Sequence, residues 1–258
     1  MAVTRRRFFQ LTGATALGVA GSQVLPADSE AQTDGPVKPS DKPLVGQRWA
    51  MAVDLKKCRE EEDCKDCVAA CDKVHNVPQF DNEKEEVKWI WQEPFEEALH
   101  DQGSPFQAEH LQHMPVLVFC NHCDNPPCTK VCPTQATWKR DDGVVMMDWH
   151  RCIGCRYCVA GCPYGSRSFN WRDPAPHVDE VNPEFPTRTR GVVEKCNFCE
   201  ERLARGQGPA CAEACKGKAL IFGDLEDPES EIRKVLRERP SVRRKVALGT
   251  QPEVFYLL

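Results

Sequence analysis

Cysteine spacing constrains this chain more than any other feature. The sixteen cysteines fall into four groups of four, at positions 58, 64, 67 and 71, then 120, 123, 128 and 132, then 152, 155, 158 and 162, then 196, 199, 211 and 215. None is left over. The third group reads C-x2-C-x2-C-x3-C-P and ends at Pro163; the second adds only two residues before its third cysteine and ends at Pro133. Three closely spaced cysteines in a loop wrap one centre, while the fourth, beyond a helical turn, points away from it. Proline then stops the turn, having no N–H to continue it.

A disulfide framework also uses an even cysteine count, but such frameworks belong to short chains, whereas this one has 258 residues. Zinc accounts for single four-thiolate sites and not for a triplet with a trailing fourth cysteine. Three thiolates on one cluster and the fourth on its neighbour is the spacing of paired iron–sulfur clusters. The expected ligand sets are Cys120, Cys123, Cys128 and Cys162 for one 4Fe–4S cluster, and Cys152, Cys155, Cys158 and Cys132 for the next.

The outer groups are looser versions of the same pattern. Five residues, including the acidic run Glu60-Glu61-Glu62-Asp63, separate Cys58 from Cys64, and Asp72 follows Cys71 where the central groups have proline. Eleven residues separate Cys199 from Cys211. Lengthening a loop costs little closure entropy, so these cysteines remain candidate ligands. Pairing across the sequence gives Cys58, Cys64, Cys67 and Cys215 for a third cluster, and Cys196, Cys199, Cys211 and Cys71 for a fourth.

The formal net charge of −5 leaves no basic footprint for nucleic acid. Four oxidised cubes at about −2 each take the loaded protein to roughly −13. Arg151, Arg156, Arg167, Arg172 and Lys195 flank the cysteine motifs as candidate counter-charges, or as ordinary solvated charges. His100, His110 and His113 lack the spacing of a ligand set and read as surface residues. There is no Ser/His/Asp array and no phosphate-binding glycine loop. Catalysis at a cluster needs an open iron, and sixteen cysteines around four cubes leave none, so a non-catalytic subunit is expected.

Arg5-Arg6-Arg7-Phe8-Phe9, followed by the mildly apolar run Leu11 to Leu25, resembles a twin-arginine export signal over residues 1–31, with small residues around Ser29-Glu30-Ala31. The apolar run is too short to span a bilayer comfortably. Clusters are built on reduced thiols in the cytoplasm, so a loaded protein must cross the membrane folded, which is what that route provides. Residues 32–46 read as a linker, 47–75 plus 193–240 as an outer two-cluster module, 76–114 as an insertion and 115–163 as an inner module. Residues 164–192 form a second insertion, in which Tyr164, Phe169 and Trp171 are candidate shields against water, and 241–258 a C-terminal extension. Strands are expected at Trp49 to Val53, Pro115 to Phe119, Val144 to Met147, Ala219 to Phe222 and Val254 to Tyr256. A helix is expected to run to about Arg237, with Asp227 as N-cap and Pro228 at N1.

The four groups, their order and their spacings resemble the four-cluster ferredoxin-like subunits that accompany molybdopterin oxidoreductases and quinone-linked membrane complexes. Within that family, five stretches resemble the periplasmic DsrO-type subunits of Dsr membrane complexes of dissimilatory sulfur metabolism. They are Cys120-Asn-His-Cys-Asp-Asn-Pro-Pro-Cys, Pro133-Thr-Gln-Ala-Thr-Trp-Lys-Arg, Met147-Asp-Trp-His-Arg-Cys-Ile-Gly-Cys-Arg-Tyr-Cys, Phe169-Asn-Trp-Arg-Asp-Pro, and Phe185-Pro-Thr-Arg-Thr-Arg-Gly-Val-Val-Glu-Lys-Cys-Asn-Phe-Cys. The resemblance implies an α+β fold of two ferredoxin-like dicluster modules, groups two and three nested within groups one and four, with small antiparallel sheets, short helices and long loop insertions. It also implies single-electron relay at the extracytoplasmic face, a polytopic NrfD-like membrane partner that handles quinone, a periplasmic multihaem cytochrome c, and other Dsr complex subunits. The alternative is the electron-transfer subunit of an exported molybdopterin oxidoreductase.

Overall fold

The strand Trp49–Asp54 (β1) is buried along its whole length because both of its faces are covered. Alternate side chains of a strand point to opposite faces. Trp49, Met51 and Val53 enter the large core that also holds cysteines of the outer groups, while Ala50 and Ala52 face a smaller layer containing Ile221, Ile232 and Leu257. The computed structural model describes residues 41–60 and 64–258, which belong to one unit spanning 36–258. The expected export signal, residues 1–31, and most of the expected linker lie outside the described residues.

After β1 come β2 (Ile90–Pro94), β3 (Pro115–Phe119), β4 (Thr137–Lys139), β5 (Val145–Met147), β6 (Ser168–Phe169), β7 (Val193–Glu194), β8 (Leu220–Asp224), β9 (Ser241–Val242) and β10 (Val254–Leu257). The helices are short: α1 (Leu55–Glu60), α2 (Asp66–His75), α3 (Phe95–Ala98), α4 (Glu109–Gln112), α5 (Pro127–Lys130), α6 (Tyr157–Ala160), α7 (Glu200–Leu203), α8 (Ala210–Ala214) and α9 (Glu231–Glu238). No helix among the described residues is long and apolar enough to cross a membrane.

Three two-stranded antiparallel sheets, β2–β3, β4–β5 and β6–β7, accompany the α+β architecture expected from the cysteine pattern. The fourth sheet departs from an all-antiparallel expectation. Its order is β8-β1-β10-β9, and β10 runs parallel to β1, with Met51 opposite Val254 and Asp54 opposite Leu257. The residues read as a C-terminal extension therefore supply an interior strand of the main sheet. Its Tyr256 hydroxyl is buried and donates to the Leu117 carbonyl at 3.2 Å, tying this sheet to β3.

The helix after β8 also differs from its expectation. Asp227 accepts from the Glu229 N–H at 2.9 Å in a preceding turn, and Ser230 is the N-cap, its hydroxyl oxygen accepting from the Arg233 N–H at 3.4 Å. Serine is as good a cap as aspartate, and the later start lets Ile232 drop against the sheet. Gly223 makes that approach work, since a Cβ there would stand 2.9 Å from Ile232 Cγ2. The cysteine-free stretch 76–114 is not irregular: β2 pairs along its length with β3, and Gln92 donates to the Cys64 carbonyl at 3.4 Å, so the insertion covers the first cysteine group.

Candidate iron–sulfur sites

Three of the four cysteine groups repeat the same local backbone. In each C-x2-C loop the residue before the second cysteine has a positive φ: His122 (40°), Gly154 (68°) and Phe198 (56°). That left-handed residue turns the chain so that both thiols face one side. Gly154 is required twice over, because a Cβ there would stand 2.3 Å from the Gly191 carbonyl oxygen. Three residues after the last cysteine the φ is positive again, at Gln135 (53°), Gly165 (66°) and Lys218 (48°). The turn so formed aims a backbone N–H at the sulfur: Ala136 and Ser166 bond the sulfurs of Cys132 and Cys162, and Ala219 donates to Cys215 Sγ at 3.2 Å.

The first group departs from this repeat where the sequence does. With Asp72 in place of proline, α2 runs four residues beyond Cys71 and ends at Asn76, itself left-handed at φ 51°. Cys58 sits in α1, and the described residues resume at Cys64.

All sixteen cysteines are free thiols, and thiols from different groups come together in four places. At the first, site A, burial raises the Cys58 thiol and the neighbouring Cys215 and Cys64 add to it; Cys67 is pushed up to about 12 by burial and by Cys58, Cys215 and Cys64. At site B, burial and then Cys199, Cys196 and Cys211 hold Cys71 well above an ordinary thiol. At site C, burial pushes Cys123 up to about 12, with Cys120, Cys128 and Cys162 contributing. These four thiols line one small cavity, together with Asn121, Tyr164 and Arg167. Neither polar atom of the Asn121 side chain has a hydrogen-bond partner, although both are buried. A cavity with four thiols and an orphaned carboxamide on its wall fits a thiolate-bound 4Fe–4S cluster, whose inorganic sulfides accept hydrogen bonds.

At site D, burial raises Cys158, with Cys152 among its charged neighbours. The helix that precedes Cys132, α5, packs on α6, which carries Cys158. Cys132 is the exception among the shifted thiols. Burial pushes it up, but N–H groups of Thr137, Thr134 and Ala136 and the Thr134 hydroxyl outweigh that and bring it below the ordinary value.

Contacts between the sites order them. Cys211 of site B is raised mainly by burial and by Cys196, and Cys67 of site A also acts on it. After burial, the largest influence on Cys196 of site B is Cys120 of site C, and Cys128 of site C acts on Cys158 of site D. At the B–C boundary the His122 ring stacks on Phe198 with 3.7 Å between centroids, so the two C-x2-C loops pack face to face. Burial follows the same order: one buried cysteine at A, two at B, three at C and one at D.

Of the five flanking cations, two are interior. Arg167 donates to Cys128 Sγ at 3.0 Å and Thr137 Oγ1 at 2.8 Å, and Lys195 Nζ donates to the carbonyls of Cys196, at 2.6 Å, and Val145. Arg151 and Arg172 are solvent-side partners of Asp148 and Glu85, and Arg156 lies over the rings of Phe169 and Trp171. Tyr164 is buried with its hydroxyl against Thr250, whereas Trp171 is 45% exposed and shields nothing fully.

Sequence reading missed the buried polar frame beside site B. His75 Nε2 lies 2.9 Å from Glu201 Oε1 and its Nδ1 3.0 Å from the Cys71 carbonyl, with Cys199 close by. Burial alone would raise the Glu201 carboxyl, but bonds from His75 and Asn197 hold it below the usual range. Trp89 stacks on His75 at 4.5 Å and donates to Glu194, which pairs with Arg188 at 2.6 Å in full burial. No local motif marks these residues.

The model of a 4Fe-4S dicluster domain matches residues 112–176 and 182–225, which hold the last three cysteine groups and leave out the divergent first. The chain is 43% identical over 274 aligned positions to the Hdr-like menaquinol oxidoreductase iron–sulfur subunit 1 of Archaeoglobus fulgidus, an alignment that covers 98% of this chain and 97% of that protein. It is 36% identical to the menaquinone reductase iron–sulfur cluster-binding subunit of Nitratidesulfovibrio vulgaris, over 81% of this chain and 88% of that one. With a subunit of the tetrathionate reductase of Salmonella typhimurium the identity is 34%, over 98% and 88% of the two chains. Sixteen cysteines in four groups, a dicluster model across the regular groups and end-to-end likeness to iron–sulfur subunits lead to one assignment: this chain belongs to the family of 4Fe–4S dicluster, ferredoxin-like iron–sulfur subunits of oxidoreductase complexes, and it carries four 4Fe–4S clusters.

Proposed function

We propose that the chain relays single electrons between a quinone-interacting, NrfD-like membrane subunit and further redox subunits of a Dsr-type sulfur-metabolism complex, and that it works at the extracytoplasmic face after export by the twin-arginine route. The ligand sets are Cys58, Cys64, Cys67 and Cys215 at site A, Cys71, Cys196, Cys199 and Cys211 at B, Cys120, Cys123, Cys128 and Cys162 at C, and Cys132, Cys152, Cys155 and Cys158 at D. Bound clusters supply the one-electron centres; the chain contributes ligands, spacing and shielding.

The observation that carries this reading is the unbroken run of thiol neighbours from A to D, most deeply buried in its interior and most open at its ends. Electrons need to enter and leave at surfaces and to be protected from water between them. Beside site D, Ile153 and Tyr157 are 66% and 63% exposed, a pair of apolar side chains suited to a partner's face. The likeness to a menaquinol oxidoreductase subunit and a menaquinone reductase subunit supports the quinone end.

Isolation of the complex from native membranes tests the assignment. The expected co-purifying chains are a polytopic membrane subunit and a multihaem cytochrome c. A molybdopterin-binding catalytic subunit in their place would replace the Dsr reading with that of an exported molybdopterin oxidoreductase. The likeness to a tetrathionate reductase subunit keeps a terminal reductase of that kind as the second reading.

A further inference from the structure

Four cationic side chains are buried among the described residues: Arg167, Arg188, Lys195 and Arg244. Arg188 and Arg244 have carboxylate partners, Glu194 at 2.6 Å and Glu93 at 2.8 Å. No carboxylate pairs with Arg167 or Lys195 among the described residues. Arg167 spends its donors on Cys128 Sγ, Thr137 Oγ1 and, at 3.8 Å, Met147 Sδ. A guanidinium does not lose its proton in a protein, so it stays charged at 4% exposure. Such a buried charge is stable only beside a counter-charge. The negative groups that face it are Cys128 and Cys120 of site C and Cys158 of site D. Lys195 faces Cys120 and Cys128 of site C and Cys196 of site B.

Both unpaired cations thus converge on site C, which is also the site with the most buried cysteines. Reduction adds negative charge to a cluster, and a fixed positive charge in a low-dielectric surrounding stabilises the reduced form. We propose that Arg167, seconded by Lys195, makes site C the highest-potential centre of the relay, the place where a single electron rests, and that Arg167 raises site D to a lesser extent. The inference rests on the ligand sets given above, and Arg167 acts by tuning rather than by binding iron.

The test is an EPR-monitored redox titration of the anaerobically purified holoprotein, with iron and acid-labile sulfide measured on every sample. In Arg167→Met the cluster that reduces first in the unaltered protein shifts to lower potential, a second shifts less, and the other two stay put. Arg167→Lys, which keeps the charge, shifts the first cluster less than Arg167→Met does. An Arg167→Met protein that retains four clusters and whose first-reduced cluster does not move overturns the proposal. Where Arg167→Met loses iron, Thr137→Val, which removes the hydroxyl that orients the guanidinium, and Lys195→Met take its place. Their titrations must show the same downward shift of the first-reduced cluster, and unmoved potentials overturn the proposal there too. A shortfall of iron in the unaltered protein is a separate failure, of the four-cluster reading and not of the tuning.

Discussion

Gly154 has no room for a side chain: at φ 68° its Cβ would meet the Gly191 carbonyl at 2.3 Å. Gly154→Ala is expected to cost on the order of 1–3 kcal/mol through a displaced C-x2-C loop. Its iron content should fall by about four atoms, the complement of one 4Fe–4S cluster at site D; unchanged iron and an unchanged denaturation midpoint would contradict the shared-turn account of the loops. At this scale the sixteen ligands were legible in the sequence, because thiolate chemistry is written in residue type and spacing. Arg167 was legible only as one of five flanking cations, since nothing local distinguishes it from the exposed Arg151. His75 and Glu201, 126 residues apart, and Arg188, in the expected second insertion, with Glu194 just beyond it, were not legible at all. Their roles arise from burial, which only the packed chain defines.

Among the elements, α2 shows where the first group leaves the common pattern. Proline follows the last cysteine in groups two and three and Lys216 follows it in group four, and the same turn forms in all three; after Cys71, α2 instead continues to His75, which delivers that histidine to Glu201 beside site B. The irregular first group was visible in the sequence; the longer helix was not. The strands next to the cysteine groups were legible from alternation, whereas the partner of β1 was not, because β10 lies some two hundred residues away and pairs in parallel. Removing residues 254–258 takes out a strand flanked by β1 and β9 and exposes the apolar edge of β1. The truncated protein is expected to lose cooperative unfolding and to retain little iron, as measured by circular dichroism and iron analysis. Full iron content in that protein would show the main sheet to be dispensable for holding the clusters.

At the level of the whole molecule, the fold is a casing in which four small sheets and short helices bring distant cysteine groups into two interlocked pairs. The nesting of groups two and three within one and four is the pairing expected from exchanged fourth cysteines, whereas the order A, B, C, D comes from the packing that sets Cys196 beside Cys120 and Phe198 on His122. The thiol neighbourhoods include Cys58 at site A despite its longer loop, which makes the divergent first group the sharpest point of the account. Iron and acid-labile sulfide per chain, measured on anaerobically purified protein, test it most directly. About sixteen of each is the predicted result for four 4Fe–4S clusters; about twelve, or thiols found bridged as disulfides, would contradict it.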